Sequence, residues 1–515
     1  MPLPPFDPAP LTRFLATASG AERVEIGRLE LLPGGAIREN WGFTAVFAGG
    51  RLAGAQPLVL RTDGPTGIAS SLTRIEEFAL LRAVHAPGMR VPEPLFACAD
   101  PGVIGKPFFV MRRLPGKAQG RLITTEPAVQ PVLPAIAYFL GGQLARLQRI
   151  CPPRADLAFL PMVGPAEHIA SFRAYLDGHP NPRPVLEWAI RWLEKNIPDP
   201  LPPVLCHRDF RTGNYLIDMR PVRGDRPDIT GILDWEFAGW GDPDEDIGWF
   251  CCKGWRFARL DREAGGIAAR DPFYTGYESI AGRRPDPRRV HFWEVLANVR
   301  WAVIALQQSD RHLVGGARDL STAIIGRRAT ECDLELLLLL DPEGAATRKT
   351  PSPPSGERVG VRGQAVEPPS PSQPCGLGAS LSRNAGEGLS IRDLPGGAGL
   401  LALAREELLG ELLSLLPPER ERQARLIATA MAIAERELTA GDAPDGDIAQ
   451  RLAEFYGVRE QGLPLPRRLA ADLRAGAFEP CRGRERQALA VLWTLTMQKL
   501  REANPGFLAA NGFGD

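Results

Sequence analysis

The chain lacks an excess of charge of either sign and lacks a long apolar stretch. Its 515 residues contain 61 Lys and Arg against 61 Asp and Glu, so net charge gives no reason to expect a nucleic-acid partner or an anionic membrane surface. The leucine run at 336–340 is far too short to span a bilayer. The first residues, MPLPPFDPAPLTRFLATA, lack the basic and apolar regions of a secretory signal. We therefore expect a cytoplasmic protein without a membrane or nucleic-acid partner.

Cysteines are few, and their spacing does not pair them. None of the eight, at 98, 151, 206, 251, 252, 332, 375 and 481, forms a Cys-x-x-Cys motif, and no histidine lies at a matching distance. This pattern disfavours a zinc site or a disulfide framework. Reduced thiols are expected, which agrees with a cytosolic location.

The chain is too long for one hydrophobic core, and its composition changes near residue 341. From 341 to 399, Pro, Gly and Ser dominate and hydrophobic periodicity vanishes, which predicts a disordered linker. The linker separates a large unit at 25–340, preceded by an N-terminal extension at 1–24, from a small unit at 400–515. Repeated apolar positions in the small unit predict an all-α bundle of four or five helices.

The large unit contains strands first and helices afterwards. The segments up to about residue 114 predict several strands and one helix, which Ser70 or Ser71 would cap. A strand-rich beginning and a helix-rich remainder predict an α+β bilobal unit, with lobes at about 25–114 and 115–340.

Four polar side chains surround two short apolar segments in the middle of this unit. His207, Asp209 and Asn214 precede the first segment, and Asp234 follows the second. The two segments are expected to pair as an antiparallel hairpin, in which the start of one strand lies beside the end of the other. Asn214 and Asp234 are then neighbours despite their separation in sequence.

These side chains suit magnesium and phosphate chemistry. An amide oxygen beside a carboxylate is a suitable pocket for Mg²⁺, which takes few protein ligands and completes its shell with water and phosphate oxygens. Asp209 lies on the loop that enters the hairpin. There it can approach a substrate hydroxyl without being a metal ligand itself.

The segments HRDFRTGN and ILDWE resemble the catalytic and metal loops of the phosphotransferase family that includes aminoglycoside and choline kinases, which are relatives of protein kinases. The resemblance covers about 25–330 and implies a bilobal protein-kinase-like fold and an ATP- and Mg²⁺-dependent transfer to a small-molecule hydroxyl. It implies that Asp209 is the catalytic base and that His207 braces the loop. Asn214 and Asp234 would hold Mg²⁺.

Two further acids match the same family pattern. Asp246, in the segment GDPDEDIGW, would brace the catalytic loop. Glu236 is a weaker candidate for the outer surroundings of the metal.

The upstream segments match the nucleotide-binding lobe of this family less specifically. Gly34 and Gly35 would let backbone N–H groups approach phosphates. Arg61 stands on the strand where protein kinases carry a phosphate-binding lysine, and the nearest following lysine is Lys106. An arginine can bind phosphate as a two-pronged donor.

A helix and a strand end complete the predicted nucleotide site. The glutamate partner of Arg61 would be Glu77, or Glu76 if the helix is rotated. Backbone groups near Met111, in the segment FFVMRRLPG, would meet adenine.

Segments such as GGAIRENW, VLRTD and VRWAVIALQQSDRHL resemble the acyl-CoA dehydrogenase member-ten-like kinase branch, whose implied acceptors are hydroxyacyl-CoA thioesters in hydroxy-acid catabolism. The unit at 400–515 resembles a small helical domain of unknown function that accompanies such kinases. The resemblance implies a CoA thioester as the acceptor and an acyl-CoA dehydrogenase-type enzyme as a candidate partner. The bundle would dock on the kinase domain or on a second copy.

Two other functions stay open. The same loop fits a kinase for aminoglycosides, macrolides, choline or sugar alcohols, and a nucleotide-binding scaffold without catalysis is the third hypothesis. Basic and aromatic residues in the helical region 286–312 favour an anionic acceptor over a polycationic one. These residues are Arg288, Arg289, Trp293, Arg300, Trp301, Arg311 and His312.

Overall fold

A computed structural model of the chain describes residues 4–32, 38–64, 71–218, 228–257, 259–315, 320–349, 397–459 and 464–514. Gly34, Gly35, Ser70 and most of the predicted linker, 350–396, lie outside these residues. The chain divides into two compact units. The first unit comprises Met1–Ile304 together with Pro466–Pro480, and the second comprises Ala305–Leu465 together with Cys481–Asp515.

Six antiparallel strands form the N-terminal lobe of the first unit. They are β1 (Arg23–Ile26), β2 (Glu30–Leu31), β3 (Arg38–Ala48), β4 (Gly54–Asp63), β5 (Pro94–Cys98) and β6 (Phe108–Arg112). Their order is β1-β3-β4-β6-β5, with β2 paired to β3. Buried and exposed residues alternate along the second half of β3, so one face of the sheet meets the core.

Helix α1 (Pro8–Ser19) closes that core. Asp7 caps its first turn, and Pro8 occupies the first helical position, where a missing N–H costs nothing. Leu11 and Leu15 are completely buried in the same cluster as the sheet residue Phe43. The predicted extension at 1–24 therefore contributes to the core of this lobe.

Helix α2 (Arg74–His85) follows β4 and carries Glu77. Its first turn has a reciprocal cap: the Thr73 side chain accepts a hydrogen bond from Glu76 N, and the Glu76 carboxylate accepts one from Thr73 N at 2.8 Å. The sequence placed the cap at Ser70 or Ser71, a few residues too early. Because Glu76 is used in the cap, Glu77 is the glutamate left to point into the lobe.

Helices and two short strand pairs form the C-terminal lobe. The helices are α3 (Gly120–Thr125), α4 (Leu133–Leu147), α5 (Pro165–Gly178), α6 (Pro184–Lys195), α7 (Glu245–Cys251), α8 (Arg270–Ala281) and α9 (Pro287–Leu313). Helices α4 and α8 cross at glycines: a Cβ at Gly141 would lie 2.0 Å from Phe273 O, and one at Gly276 would lie 1.8 Å from Tyr138 O. A sheet followed by helices confirms the predicted α+β bilobal arrangement.

The two strand pairs carry the polar loop. Strands β7 (Val204–Cys206) and β10 (Gly239–Gly241) pair antiparallel, as do β8 (Tyr215–Asp218) and β9 (Asp228–Ile232). Tyr215 stands opposite Ile232, which confirms the predicted hairpin.

The remaining elements are all helical. They are α10 (Leu320–Arg327), α11 (Ala329–Leu340), α12 (Pro342–Arg348), α13 (Gly397–Glu407), a π-helical turn at Leu408–Leu412, α14 (Leu413–Leu415), α15 (Pro418–Ala440), α16 (Ala443–Tyr456), α17 (Pro464–Ala475), α18 (Arg482–Ala503) and α19 (Pro505–Ala510). The all-α prediction for the C-terminal segment is confirmed. Among the described helices, none combines the length and the apolar character needed to cross a bilayer.

The compact units do not follow the predicted boundary at residue 340. The division falls between 304 and 305, inside α9, so α10, α11 and α12 belong to the second unit. The predicted linker begins at 341, but Asp341 caps α12 by accepting a hydrogen bond from Gly344 N at 3.0 Å. An Asp-Pro pair is typical of a helix start as well as of a break, and the sequence alone could not separate the two.

Candidate active site

One buried carboxylate fixes the loop between β7 and β8. Asp246, on α7, accepts hydrogen bonds from the backbone N–H groups of His207 and Arg208, both at 2.7 Å. Arg208 has a φ of 62°, a left-handed conformation that is strained for a residue with a side chain. The two bonds stabilise this turn, so the loop leaves β7 in a fixed direction.

The imidazole of His207 joins this loop to the segment after β9. Nδ1 lies 3.2 Å from Asp209 N, which donates to it, and Nε2 lies 3.0 Å from Leu233 O, to which it donates. The tautomer is assigned from these two partners. Complete burial lowers the pKa of His207, against the attraction of nearby carboxylates. A neutral imidazole with a hydrogen bond at each ring nitrogen serves to position the loop.

Asp209 is held by donors on both carboxylate oxygens. Oδ2 accepts from Asn214 Nδ2 at 2.6 Å. Oδ1 accepts from Arg211 Nε at 2.9 Å and from Trp249 Nε1 at 3.0 Å. The residue is only 9% exposed, so its side chain has a defined orientation at the edge of the site.

Asn214 and Asp234 lie at the same end of the hairpin. Leu233 N donates to Asn214 O at 2.7 Å, which extends the β8–β9 pairing by one step. Asn214 Nδ2 donates to the carbonyl and to the carboxylate of Asp209. The side-chain oxygen of Asn214, Oδ1, is then the atom of the amide that can bind a cation. Asp234 follows Leu233 directly and has a φ of 70°, a second strained backbone position in the site.

Arg61 connects Asp234 to the helix of the N-terminal lobe. Its Nη2 lies 2.7 Å from Asp234 Oδ1, and its Nε lies 3.0 Å from Glu77 Oε1. Arg74 also pairs with Glu77, which is only 1% exposed. Lys106 lies elsewhere in the lobe, where its Nζ donates to Asp63 O at 2.8 Å. The structure therefore brings Arg61 together with Glu77 and Asp234.

The charges of this cluster stabilise one another. Burial alone would favour a neutral Asp234, but the guanidinium of Arg61 outweighs burial and lowers the pKa of Asp234. Burial likewise opposes the charge of Arg61, and the carboxylates of Glu77 and Asp234 raise its pKa above the ordinary value. Both partners thus stay ionised.

Glu236 occupies a second buried ion pair beside the first. Its Oε2 lies 2.7 Å from Arg38 Nε, and both side chains are almost completely buried. Arg38 also pairs with Asp63 at 2.7 Å. Burial and the neighbouring charge of Asp234 raise the pKa of Glu236 to about 7, although Arg61 and Arg38 oppose the shift. Glu236 therefore titrates near neutral pH.

Two adjacent carboxylates under the loop differ in charge state. Burial and the charge of Glu245 raise the pKa of Asp246 to about 7. Glu245 is just as buried, but Arg208 and His168 overcome that burial and lower its pKa to about 2. His168 Nε2 lies 3.2 Å from Glu245 Oε1. Two like charges side by side in the core separate their pKa values in this way.

Aromatic and cationic side chains line the side of Asp209 away from Asn214. Trp249, Trp255 and Trp301 form a chain of rings with centroids 5.1 and 4.9 Å apart. The guanidinium of Arg211 lies 4.5 Å above the Trp255 ring, and that of Arg300 lies 4.6 Å above Trp249. Sequence reasoning singled out neither Arg211 nor Trp249. The signal for Trp249 was its position on α7, one turn after Asp246.

The prediction that basic and aromatic residues of the helical region 286–312 face the acceptor is wrong for some of them. Trp293 is 1% exposed and donates Nε1 to Asp242 at 3.1 Å. Arg289 pairs with Asp242 at 2.5 Å and with Asp244 at 2.8 Å. Trp293 and Arg289 therefore stabilise the packing of α9 instead of facing an acceptor. An amphipathic helix must bury one face, and the sequence alone does not show which arginines lie on that face. Arg311 and His312 belong to the second unit.

Met111, predicted to lie near adenine, is on a strand of the N-terminal lobe. Met111 lies inside β6, opposite Val59 of β4 and Pro94 of β5, so strands flank its backbone on both sides. The chain leaves the sheet just after it, at Arg112. Gly34 and Gly35 lie outside the described residues.

The donor set near Asp234 fits a hard cation with few protein ligands. In the described part of the chain, no three His, Cys, Asp or Glu side chains gather into a metal site. An amide oxygen on Asn214 and a carboxylate on Asp234 form the smaller set that Mg²⁺ uses when phosphate and water supply its other ligands.

Comparison with known families identifies the family of this part of the chain. A model of the phosphotransferase enzyme family matches residues 34–293, slightly more than half of the chain and all of the loops described above. The chain belongs to this family. A second model, of the domain of unknown function DUF6285, matches residues 414–507, which follow the phosphotransferase region.

Individual relatives are similar over part of their length. Mouse acyl-CoA dehydrogenase family member 10 is 28% identical over 209 residues, which are 39% of this chain and 18% of that protein. Human acyl-CoA dehydrogenase family member 11 is 28% identical over 203 residues, which are 38% of this chain and 25% of that protein. The chain thus spans a quarter or less of the length of these curated relatives.

A solved structure shares the fold of the phosphotransferase. The protein comes from Ralstonia eutropha JMP134, and its name assigns it provisionally to the aminoglycoside phosphotransferases. It is 21% identical, has a TM-score of 0.52, and covers 65% of this chain and 98% of that chain. Together with the family match, it confirms the predicted kinase-like fold. The prediction of an enzyme that transfers phosphate from ATP to a hydroxyl group is also confirmed. The roles of single residues stay predictions.

Replacing Glu236 by Gln should flatten the pH dependence of stability in this phosphotransferase. The pKa of Glu236, about 7, lies above the roughly 4.3 of an exposed glutamate, so the folded state holds an extra proton between these values. Its contribution to the free energy of unfolding is therefore present at low pH and lost as pH rises towards 7. Urea unfolding from about pH 5 to pH 8 measures the slope. An unchanged slope in Glu236→Gln contradicts the assignment, and the exposed Glu22→Gln serves as the control.

Proposed function

We propose that the enzyme transfers the γ-phosphoryl group of Mg·ATP to the hydroxyl group of a hydroxyacyl-CoA. The observation that carries the proposal is the geometry around Asp209, Asn214 and Asp234. The fixed carboxylate of Asp209 lies beside the Asn214 amide, and a second carboxylate, whose charge an arginine maintains, follows the residue that pairs with Asn214 at the end of the hairpin. This is the arrangement that phosphoryl transfer requires, because positioning and charge compensation supply most of its rate enhancement.

Asp209 is proposed as the catalytic base. The acceptor oxygen attacks the γ-phosphorus, the bond to the β-phosphate oxygen breaks, and ADP leaves. The hydroxyl proton passes to the Asp209 carboxylate. His207 positions the loop through its bonds to Asp209 N and Leu233 O and takes no proton.

Asn214 and Asp234 would hold Mg²⁺ through the amide oxygen and the carboxylate. When bound, the ion would neutralise charge on the phosphates. Arg61 keeps the pKa of Asp234 low, so the carboxylate is ionised and ready for a cation. Glu236, which Arg38 holds in place, would belong to the outer surroundings of the ion.

Arg61, Glu77 and the strand end after Met111 are proposed for the nucleotide. Glu77 fixes Arg61, whose guanidinium can turn one edge towards phosphate. Gly34 and Gly35 would supply backbone N–H groups. Because Met111 is enclosed by strands, we place the adenine contact on the backbone just beyond β6, at about residues 113–115.

An anionic acceptor is favoured by the surroundings of Asp209. Arg211 pairs with Asp209 Oδ1, lies over Trp255 and is 23% exposed at its side chain. An anionic group on the acceptor would compete for Arg211 and free Oδ1 for the hydroxyl. The names of the relatives, acyl-CoA dehydrogenase family members 10 and 11, point to acyl-CoA as that anion. A dehydrogenase-type partner would then use the same class of substrate.

The cytoplasm is the proposed location. None of the described cysteines forms a disulfide bond, as expected in a reducing compartment. CoA thioesters and ATP would both be present there.

Replacing Asp209 by Asn should lower kcat by at least about 100-fold, because the proton acceptor is lost while Asn214 and Asp234 remain. The affinity for Mg·ATP should stay within about twofold by titration calorimetry. The exposed Asp261→Asn is the matched control and should keep full activity. Equal activity of Asp209→Asn and the control would remove Asp209 from the reaction.

An acceptor panel with ADP release as the readout should show turnover with one or more hydroxyacyl-CoA thioesters. Replacing Arg211 by Gln should raise the KM for that thioester and leave the KM for ATP unchanged, because the proposed anion contact of Arg211 is with the acceptor and not with the nucleotide. Turnover confined to aminoglycosides, macrolides or choline would show that the acceptor belongs to one of these classes and is not a hydroxyacyl-CoA. Nucleotide binding without transfer to any compound would instead support the scaffold hypothesis.

A further inference from the structure

Each compact unit contains residues from both sides of the segment 350–396. The first unit takes Pro466–Pro480 from the C-terminal part of the chain, and the second takes the residues from Ala305 onward from the N-terminal part. We call residues 1–349 the front part and residues 397–515 the rear part. A boundary drawn at the linker therefore cuts through both units.

The rear part meets the first unit through complementary charges. Arg474, on α17, pairs with Asp177 of α5. Glu479, just after α17, pairs with Arg191 at 3.2 Å and with Lys195 at 3.0 Å, both on α6. The signs alternate, since a base of the rear part meets an acid on α5 and an acid meets bases on α6. This pattern specifies one orientation of α17.

A hydrogen bond to the backbone adds to this contact. Arg467 Nη2 donates to Pro180 O, in the turn between α5 and α6, at 2.5 Å. Leu469, Leu473 and Phe478 lie in the same segment and are each at least nine-tenths buried. Segment 466–480 is thus an ordered part of the first unit.

The front part makes the reverse contribution to the second unit. Helix α11 packs on α18, and Leu334, Leu336 and Leu337 of α11 are completely buried. Trp493 of α18 donates Nε1 to Asp341 Oδ2 at 2.7 Å.

Polar contacts near the start of α11 fix the same arrangement. Asn504 Nδ2 donates to Glu331 Oε1 at 2.9 Å, and Arg327 pairs with Glu437 at 2.6 Å. Helix α11 has apolar side chains at adjacent positions and would expose them to water in a chain that ended after α12.

We propose that the front and rear parts form a two-part assembly that the linker does not hold together. The partner that fits the front part is helical and meets two requirements. It has an apolar face that covers α11, and it has a helix like α17 that carries a base and an acid at the spacing of Arg474 and Glu479. Residues 397–515 supply this partner in the same molecule, and a separate chain of the same kind would fit the same two surfaces. The inference is independent of the acceptor and of the role of Asp209.

The apolar surface holds most of the assembly together, and the ion pairs orient it. An exposed ion pair contributes little to stability, whereas each buried leucine side chain contributes considerably more. High salt alone should therefore leave the parts associated. Reversing one charge should weaken the assembly measurably without dissolving it.

The test cuts the full chain. A protease site placed in 350–396 is cleaved in the folded protein, and size-exclusion chromatography with light scattering follows the two parts at micromolar concentration. We expect them to elute together as one front part and one rear part, also in about 1 M salt. Separation into two folded parts overturns the proposal. A complex of two front and two rear parts overturns the pairing of the front and rear parts of one and the same molecule.

Charge reversal tests the position of α17. Arg474→Glu should raise the dissociation constant of the cut protein about 3- to 10-fold, and adding Asp177→Arg should restore most of the affinity. Arg425→Glu is the control in the rear part, because Arg425 is exposed and pairs with Glu421 of its own helix, α15. It should change the affinity by less than about twofold. Equal effects of Arg474→Glu and Arg425→Glu, or no recovery in the double variant, overturn the docking of α17 on α5.

Discussion

The buried guanidinium of Arg61 is the interaction on which the active site depends. It lies between Glu77 of α2 and Asp234 after β9, and so ties the N-terminal lobe to the hairpin of the C-terminal lobe. A buried arginine without its partners would cost several kcal/mol, so the pairing fixes the lobes and the charge of Asp234 together. Among the charges that lower the pKa of Asp234 against its burial, that of Arg61 is the largest, and it supports the proposed role of Asp234 as a cation ligand.

A second buried carboxylate gives the catalytic loop its shape. Asp246 holds two backbone N–H groups of a strained turn, and the loop then places Asp209 between the Asn214 amide and the Trp249 indole. The strain at Arg208 is tolerated because the surrounding hydrogen bonds determine the turn. If Asp209 is the base and Asn214 and Asp234 hold the cation, as we propose, this rigid arrangement leaves little reorganisation for the transition state.

The sequence predicted the parts of the site that follow from spacing. Asn214 and Asp234 were placed at one end of a hairpin because strand pairing alone requires it, and the pairing of Tyr215 with Ile232 agrees. Arg211 and Trp249 were not singled out, since no spacing rule links an indole on α7 to a loop carboxylate. Burial decided other positions: Trp293 was grouped with the residues that favour an anionic acceptor but lies in the core. The predicted boundary at 340 was drawn without the partner helix of α11, α18, which lies beyond residue 396. Such long-range partners leave no local pattern.

The binding of Mn²⁺·ATP, followed by electron paramagnetic resonance of the free ion, tests the central claim most directly, because Mn²⁺ takes the same oxygen ligands as Mg²⁺. We expect Asp234→Asn to weaken this binding at least about tenfold, while ATP without metal binds as in the wild type. Equal affinity for Mn²⁺·ATP in the wild type and in Asp234→Asn would contradict the role of Asp234 as a metal ligand.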